Sequence, residues 1–204
     1  MSLIKNVIFD CGNVLNRWQP ISYFMSIGYS KEICERMVKK MFGSEDWFLY
    51  DKGMYSFEET IAHIIAKYPN DEELIVRFAR EWLQLLEPIP AHQQLMKDLR
   101  EQRYRIYILS NIAPESWKKV CELSDYETIC DGRVLSYEEH HCKPEAEIYE
   151  TLLNRYHLKG EECLFLDDLQ TNLDQAKQFG MIGLRVTSEN MNDVVYRVLK
   201  EYQL

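Results

Sequence analysis

Apolar positions follow two different rhythms along the chain, and the change between them predicts two structural parts. A short apolar run at residues 3–9 predicts a buried strand, which ends in an acid at Asp10. From about residue 21 to residue 87, apolar side chains recur at helical spacing, and no segment there predicts a convincing strand. After Pro90, short apolar runs alternate with helical segments. The helical block is therefore an insertion after the first strand.

The alternating part predicts a parallel sheet with helices on both of its faces. Its later strands are predicted at residues 105–109, 133–135, 163–166 and 183–186. Its helices are predicted at residues 91–102, 114–123, 145–156 and 172–179, with a last helix from a cap at Ser188 to about Tyr202. The predicted fold class is α/β, a doubly wound parallel sheet with an inserted helical domain. We place the core at residues 1–16 and 89–204, and the inserted domain at residues 17–88.

Three segments of the insertion have the spacing or the start signals of helices. Apolar spacing predicts a helix over residues 30–42, and residues 70–73 cap a further run that ends at residue 86. Ser56 and Glu59 form a capping-box pattern that opens a helix to residue 68. We place Trp47, Tyr50 and Asp51 in the loop between the helix over residues 30–42 and the helix that opens at Ser56. From this loop they could line a pocket.

Charge and composition narrow the classes of partner. The chain has 33 acidic against 24 basic residues and a net charge of −9, which argues against nucleic acid or an anionic membrane as partner. No apolar stretch approaches the ~20 residues that span a bilayer, and the first apolar segment predicts a strand rather than a signal peptide. Six cysteines are scattered without a Cys-x-x-Cys pair, which favours a reduced, cytoplasmic protein.

Polar residues with chemical potential follow the predicted strands. Two strands end in acids, at Asp10 and at Asp167-Asp168, and carboxylates that meet at one sheet edge require a cation or a proton between them. Four segments stand at strand ends or helix starts: Asp10-Cys11-Gly12-Asn13, Ser110-Asn111, Lys143-Pro144 and Asp167-Asp168. In this order, and with a helical insertion after the first segment, they resemble the motifs of the haloacid dehalogenase superfamily. The resemblance covers essentially the whole chain and implies a Rossmann-like core with a helical cap, the name used below for residues 17–88.

The resemblance implies roles for the acids. Asp10 is the expected nucleophile, which would form an aspartyl-phosphate and so divide one difficult hydrolysis into two steps. Mg²⁺ is the expected cofactor, because it prefers oxygen ligands and offsets the repulsion between carboxylates and phosphate. Its expected ligands are Asp10, the carbonyl of Gly12 and Asp168, with Asp167 as a further or an outer ligand. The substrate would be a small phosphorylated metabolite, with sugar phosphates among the candidates.

The same resemblance implies the residues that bind substrate. Ser110 and Asn111 would contact phosphate oxygens, and Asn13 would add a hydrogen bond. Lys143 would screen the charge on Asp10 and phosphate. It stands in a loop, and Pro144 after it is expected at the first position of the following helix. From the cap, Arg17 and Trp18 lie at the hinge, and Trp47 either lines the pocket or packs the cap against the core.

Gly12 departs from the pattern of most phosphatases of the superfamily. They carry a second Asp there, which acts as general acid and base and contributes on the order of 10²–10⁴ in rate. A subgroup of small bacterial sugar-phosphate-type phosphatases shares the glycine, and the proton carrier would then be a cap residue or water. Two alternatives stay open: a non-catalytic binding protein, and a metal-independent 2-haloacid dehalogenase, which the paired acids disfavour. The sequence leaves the oligomeric state open.

Overall fold

A parallel five-stranded sheet forms the centre of the molecule. The computed structural model describes residues 3–187 and 191–202. In chain order its strands are β1 (Asn6–Phe9), β2 (Asn16–Arg17), β3 (Glu87–Pro88), β4 (Arg105–Ser110), β5 (Gly132–Leu135), β6 (Cys163–Asp167) and β7 (Ile182–Arg185). The large sheet has the order β5-β4-β1-β6-β7, and every neighbouring pair is parallel. The predicted doubly wound α/β fold is confirmed.

Helices cover the sheet and make up the cap. The cap contains α1 (Pro20–Ser26), α2 (Lys31–Lys40), α3 (Glu45–Asp51), α4 (Phe57–Lys67) and α5 (Glu72–Glu81). The core contains α6 (Pro90–Glu101), α7 (Pro114–Leu123), α8 (Tyr126–Ile129), α9 (Ser136–Glu139), α10 (Ala146–Arg155), α11 (Gln170–Gln178) and α12 (Met191–Glu201). The capping box at Ser56 and Glu59 starts α4 as predicted, with both reciprocal hydrogen bonds present. Ser188, the predicted cap of the last helix, lies outside the described residues.

The central strand β1 is buried on both faces, as expected for the middle of a parallel sheet. Side chains alternate along a strand, so Val7 and Phe9 belong to one apolar cluster and Ile8 to the cluster on the opposite face. Every residue of β1 is paired with β4 on one side and with β6 on the other. This burial fixes the position at which the strand ends, and therefore the position of Asp10.

The cap has an apolar cluster of its own. Phe24 and Phe78 stack at 3.7 Å between ring centroids, and Trp47 and Trp82 meet edge to face at 5.1 Å. The chain enters and leaves the cap through a two-stranded antiparallel ribbon of β2 and β3, where Arg17 faces Glu87. The ribbon lies where the boundaries between core and cap are predicted, and the division at residues 16/17 and 88/89 stays a prediction.

Two sequence predictions about local structure are wrong. Residues 45–51 form the helix α3 rather than a loop, because the Ser44 hydroxyl accepts a hydrogen bond from the backbone N–H of Trp47 and caps the first turn. Pro144 does not occupy a first helical position, since α10 begins at Ala146 with Glu145 as the preceding residue. The sequence reasoning also missed the short helices α8 and α9 and the ribbon.

Candidate active site

Three carboxyl groups meet at the carboxyl end of the sheet. Asp10 follows β1, and Asp167 and Asp168 stand at the end of the adjacent strand β6, where Phe9 is in register with Leu166. One oxygen from each of the three lies within 4.8 Å of the others. We call this group the carboxylate cluster. The parallel register brings together two acids that are more than 150 residues apart in the chain.

Lys143 joins two members of the carboxylate cluster. Its Nζ lies 2.8 Å from Oδ1 of Asp10 and 2.7 Å from Oδ2 of Asp167, and its side chain is 1% exposed. Burial raises the pKa of Asp10 to about 7, although Lys143 acts in the opposite direction. The two carboxylates raise the pKa of Lys143 despite its burial, so the lysine stays charged. The predicted electrostatic partner of Asp10 is thus in direct contact with it.

Asp167 already has a full set of hydrogen-bond donors. Oδ1 accepts from the backbone N–H of Leu169 at 2.8 Å and from Asn172 at 3.1 Å. Oδ2 accepts from Lys143 at 2.7 Å and from Asn172 at 3.0 Å. Tyr149 in turn donates to the carbonyl of Asn172 at 2.9 Å. These contacts suit Asp167 to holding Lys143 in place.

Asp168 is the more accessible acid of the pair. It is half-buried, and burial raises its pKa. Its Oδ2 accepts a hydrogen bond from Nδ2 of Asn13 at 3.0 Å, while Oδ1 of Asn13 accepts from the backbone N–H of Trp18 at 3.1 Å. Asn13 has a left-handed φ of 54°, a conformation that asparagine tolerates better than most residues. It therefore ties Asp168 to the segment that leads into the cap.

Ser110 ends β4, the neighbour of β1 in the sheet, and Asn111 follows it. Ser110 is fully buried, and its hydroxyl donates a hydrogen bond to the carbonyl of Asn111 at 3.5 Å. Asn111 donates to the carbonyl of Lys143 at 2.9 Å and accepts from the backbone N–H of Lys143 at 2.7 Å. Asn111 thereby positions the loop that carries Lys143. Contacts of these two residues with substrate stay predictions.

A cavity of about 160 Å³ lies next to Gly12, between the sheet edge and the cap. Four predicted substrate residues line it: Arg17, Trp18, Trp47 and Asn111. Trp47 also packs in the cap, where it is 4% exposed, so both of its expected roles are compatible with the structure.

For other residues of the cavity, the structure agrees with the sequence prediction in one case and differs in two. Asp51 lines the cavity, whereas Tyr50, also expected there, points to Glu115 and donates a hydrogen bond to it. Asn16 lines the cavity and was missed. Its one sequence signal is a polar side chain directly after the apolar pair Val14-Leu15, which many surface turns share.

The carboxylate cluster has the composition of a Mg²⁺ site. Mg²⁺ is bound through oxygen, typically by one or two carboxylates together with water and phosphate. The described residues bring three carboxyl groups together with a single buried cation, Lys143, and no thiol or imidazole joins the group. The residues present therefore fit Mg²⁺ better than a metal that prefers sulfur or nitrogen.

A family model for haloacid dehalogenase-like hydrolases matches residues 4–180. The chain belongs to this family. The resemblance inferred from the four segments is thereby confirmed, and the chain is a hydrolase.

Two relatives of this hydrolase are phosphatases by name. A sesquiterpene phosphatase of Aspergillus oryzae is 25% identical over 183 residues, which are 90% of each chain. A D-ribitol-5-phosphate phosphatase of Bacteroides thetaiotaomicron is 25% identical over 194 residues, which are 87% of this chain and 89% of the relative.

Solved structures show the same fold. A family enzyme from Bacteroides thetaiotaomicron in complex with magnesium and inorganic phosphate superimposes with a TM-score of 0.75 at 24% identity, over 95% of this chain and 100% of that one. An L-2-haloacid dehalogenase from Xanthobacter autotrophicus gives a TM-score of 0.67 at 21% identity, over 90% of this hydrolase and 78% of that chain. At these identities the likeness shows the fold alone.

Proposed function

We propose that this hydrolase is a Mg²⁺-dependent phosphatase that acts on a small phosphorylated metabolite through an aspartyl-phosphate on Asp10. The contact of Asp10 with Lys143 within the carboxylate cluster carries the proposal. The two relatives named as phosphatases support it. The six cysteines are all free thiols, which supports a cytoplasmic location. No helix among the described residues has the length and apolarity needed to cross a bilayer.

The two oxygens of Asp10 have different surroundings. Oδ1 is held by Lys143, while Oδ2 would lie 4.0 Å from a Cβ added to Gly12, and apart from Gly12 and its two chain neighbours no other residue has an atom within that distance. Oδ2 therefore faces the space in which a phosphate can approach. In the first step Oδ2 forms a bond to phosphorus and the bond from phosphorus to the alcohol oxygen breaks. In the second step water attacks the same phosphorus, which releases phosphate and restores the carboxylate.

Asp10, the carbonyl of Gly12 and Asp168 would hold Mg²⁺. Bound there, the ion supplies positive charge that offsets the repulsion between the carboxylates and a phosphate dianion. Asp167 would remain the partner of Lys143, since four donor contacts already occupy its two oxygens. Lys143 in turn places its charge beside Oδ1 of Asp10 and stabilises the negative charge that develops during transfer.

The leaving alcohol needs a proton, and Gly12 has no side chain to supply one. Two carriers remain: water, and Asp51, a cap carboxyl that lines the same cavity as Gly12. A pH–rate profile of Asp51→Asn separates the two. If Asp51 carries the proton, kcat of wild-type protein declines as pH rises and the Asp51 carboxyl ionises. The variant then does not show this decline. If water does, the two profiles have the same shape.

Asp10→Asn provides the main test. We expect it to remain folded and to lose Mg²⁺-dependent hydrolysis of p-nitrophenyl phosphate, because an amide cannot attack phosphorus. Asp193→Asn, at an exposed acid of α12, is the matched control and should retain full activity. Substrates can then be sought in a panel of phosphorylated metabolites with and without Mg²⁺.

Trapping with beryllium fluoride separates the phosphatase from a non-catalytic binding protein. A competent Asp10 should form a Mg²⁺-dependent acyl-phosphate mimic, observable by ¹⁹F NMR and absent in Asp10→Asn. An inert site would give no adduct, and that outcome would contradict the proposal. Halide release from 2-haloacids without metal would instead indicate the dehalogenase alternative.

A further inference from the structure

Asn16 is a buried amide that faces the cavity without a protein partner. The residue is 1% exposed and lies in β2, directly beside Gly12. Neither its side-chain nitrogen nor its oxygen makes a hydrogen bond within the described part of the chain. A buried polar group without a partner costs about 1–3 kcal/mol. Such a group at the wall of a cavity therefore points to a ligand with a matching polar group.

Most of the remaining wall is apolar. Trp18, Phe42, Trp47 and Trp82 contribute aromatic rings from the cap and its hinge, and Ile112 and Val120 contribute aliphatic side chains from the core. The rings hold one another by edge-to-face contacts of 5.4 Å between Trp18 and Phe42 and 4.6 Å between Phe42 and Trp47. A wall of this kind favours the binding of an apolar ligand, because binding removes apolar surface from water.

Two of the polar side chains that could recognise a sugar already have protein partners. Both amide atoms of Asn111 bind the backbone of Lys143, and the guanidinium of Arg17 lies 2.9 Å from Glu87 on the ribbon. Ser116 adds one hydroxyl to the wall. Burial raises the pKa of Asp51 to about 7, so its carboxyl adds a hydrogen-bonding group more than a fixed charge at neutral pH. A polyol buried here would leave several hydroxyl groups without partners.

The volume of the cavity accommodates a small ring. At about 160 Å³ the cavity matches an engineered apolar cavity of about 150 Å³ that accommodates benzene. One six-membered ring therefore fits, and Gly12 in the cavity wall is two residues from Asp10 in the chain.

We propose that the substrate is the phosphate monoester of a largely apolar, ring-sized alcohol that carries one hydrogen-bonding group for Asn16. This proposal rests on the proposed function and narrows its substrate class. Asn16 is then a specificity residue: it satisfies its own buried donor and acceptor only when such a substrate is bound. Sugar phosphates of the same ring size would be poor substrates.

Three matched substrates test the proposal on wild-type protein with Mg²⁺. They are cyclohexylmethyl phosphate, the isomers of its ring-hydroxylated derivative, and glucopyranose 6-phosphate. All three are phosphates of a primary alcohol on a six-membered ring, so the leaving oxygen is alike and the ring substituents differ. We expect kcat/KM for cyclohexylmethyl phosphate to exceed that for the sugar phosphate at least tenfold. The best hydroxylated isomer should gain a further factor of about three to ten, the value of one net hydrogen bond.

Asn16→Leu tests the polar contact. Leucine has a similar size and no hydrogen-bonding group, so the ratio of kcat/KM between the best hydroxylated isomer and the plain ring should fall to about one. Asn154→Leu, at an exposed position of α10, should keep the wild-type ratio. If Asn16→Leu does not fold, Asn16→Ala and the wild-type substrate series still decide the question. An unchanged ratio in folded Asn16→Leu would overturn the role of Asn16.

Acetyl phosphate distinguishes failure of this proposal from failure of the proposed function. It is small and activated, and it needs no ring-binding wall. If wild-type protein hydrolyses it with Mg²⁺ and Asp10→Asn does not, the phosphatase stands. A preference for glucopyranose 6-phosphate over cyclohexylmethyl phosphate would then overturn the apolar substrate class alone. If acetyl phosphate is not hydrolysed either, the proposed function itself fails.

Discussion

Lys143 shows how much a single residue contributes to the site. Its buried ammonium lies within 2.8 Å of Asp10 and 2.7 Å of Asp167, so it neutralises part of a group that would otherwise repel itself. Removing one partner of a buried ion pair costs about 3–5 kcal/mol, because the other partner is left unpaired. We therefore expect Lys143→Met to lower the free energy of unfolding by about 3 kcal/mol at pH 8 without metal, as measured by urea denaturation.

The control for this prediction is Lys177→Met. Lys177 is 55% exposed and lies 3.4 Å from Asp174, so its removal should change stability by less than about 0.5 kcal/mol. An equal loss in both lysine variants would mean that Lys143 contributes no more than a surface charge.

Asp51 gives a pH dependence of stability. Burial raises its pKa from 3.8 to about 7, so between these pH values the folded protein holds a proton that the unfolded chain has released. The contribution of Asp51 to the free energy of unfolding therefore falls as pH rises through this range. Asn cannot ionise, and the stability of Asp51→Asn relative to wild type should rise from pH 4 to pH 7, by at most about 4 kcal/mol. Above pH 7 the difference should level off.

Denaturation series at several pH values measure this effect. Asp193→Asn replaces an exposed acid and should differ from wild type by a nearly constant amount. If the stability of Asp51→Asn relative to wild type falls with pH, the carboxylate is stabilised by a partner rather than destabilised by burial.

Individual site residues differ in how far the sequence could predict them. Asp10, Lys143 and Asp168 stand at strand ends or helix starts in a characteristic order, and the structure brings them together. The buried amide of Asn16 could not be predicted in the same way. Its burial is a property of the assembled fold, and nothing local in the sequence reports it. Asp167 was predicted as a further or an outer ligand, and its four hydrogen bonds suit the outer position.

Among the elements, the turn after α3 joins the cap to the core through a close approach. Gly53 has φ of +72°, and an added Cβ would lie 2.4 Å from the carbonyl oxygen of Tyr137 in α9. The neighbouring Lys52 pairs with Glu145 at 2.6 Å across the same boundary. The close approach leaves no room for the methyl group of alanine. Gly53→Ala must therefore displace the turn, and with it Asp51, the cavity-lining residue at the end of α3.

We expect Gly53→Ala to lower kcat/KM on the order of tenfold or more, because small displacements of positioning groups are costly. Gly28→Ala is the control: Gly28 also has a positive φ, of +105°, but no atom lies within 4 Å of a Cβ added there. It should lose stability from backbone strain of about 1 kcal/mol and keep its activity. Equal activity in the two variants would show that the contact with Tyr137 does not position the turn.

Long periodic elements were predictable, and several short ones were not. The helix α7 spans Pro114–Leu123 as the apolar spacing predicts, since ten residues give a clear period. The seven residues of α3 give barely two turns, and the strands β2 and β3 have two residues each. The ribbon exists because residues about 70 positions apart pair with each other, and a local pattern does not report such a pairing.

At the scale of the whole molecule, the cavity explains why the sequence left the substrate class open. Its wall combines residues near 11–18, 42–51, 82–86 and 111–120, which no single segment contains. Each aromatic residue in these segments is equally compatible with packing inside the cap. The assembled wall is needed to see that rings surround the space beside Gly12, and that polar partners are few.

The carboxylate cluster predicts that Mg²⁺ stabilises the folded molecule. Three carboxyl groups lie together only in the fold, so the ion should bind the folded protein and not the unfolded chain. Binding of this kind adds about 2.7 kcal/mol to the free energy of unfolding when the free ion is at 100 times its Kd. We expect Tm to rise with Mg²⁺ at constant ionic strength, in a measurement that needs no substrate.

Asp168→Asn and Asp174→Asn make this test specific. Asp168 is the accessible acid of the cluster, and its loss should remove most of the rise in Tm. Asp174 in α11 is 60% exposed and outside the cluster, so Asp174→Asn should keep the rise. A similar rise in all three proteins would indicate nonspecific binding to a chain of net charge −9. A rise confined to wild type and Asp174→Asn can come only from a site built by the two strand ends.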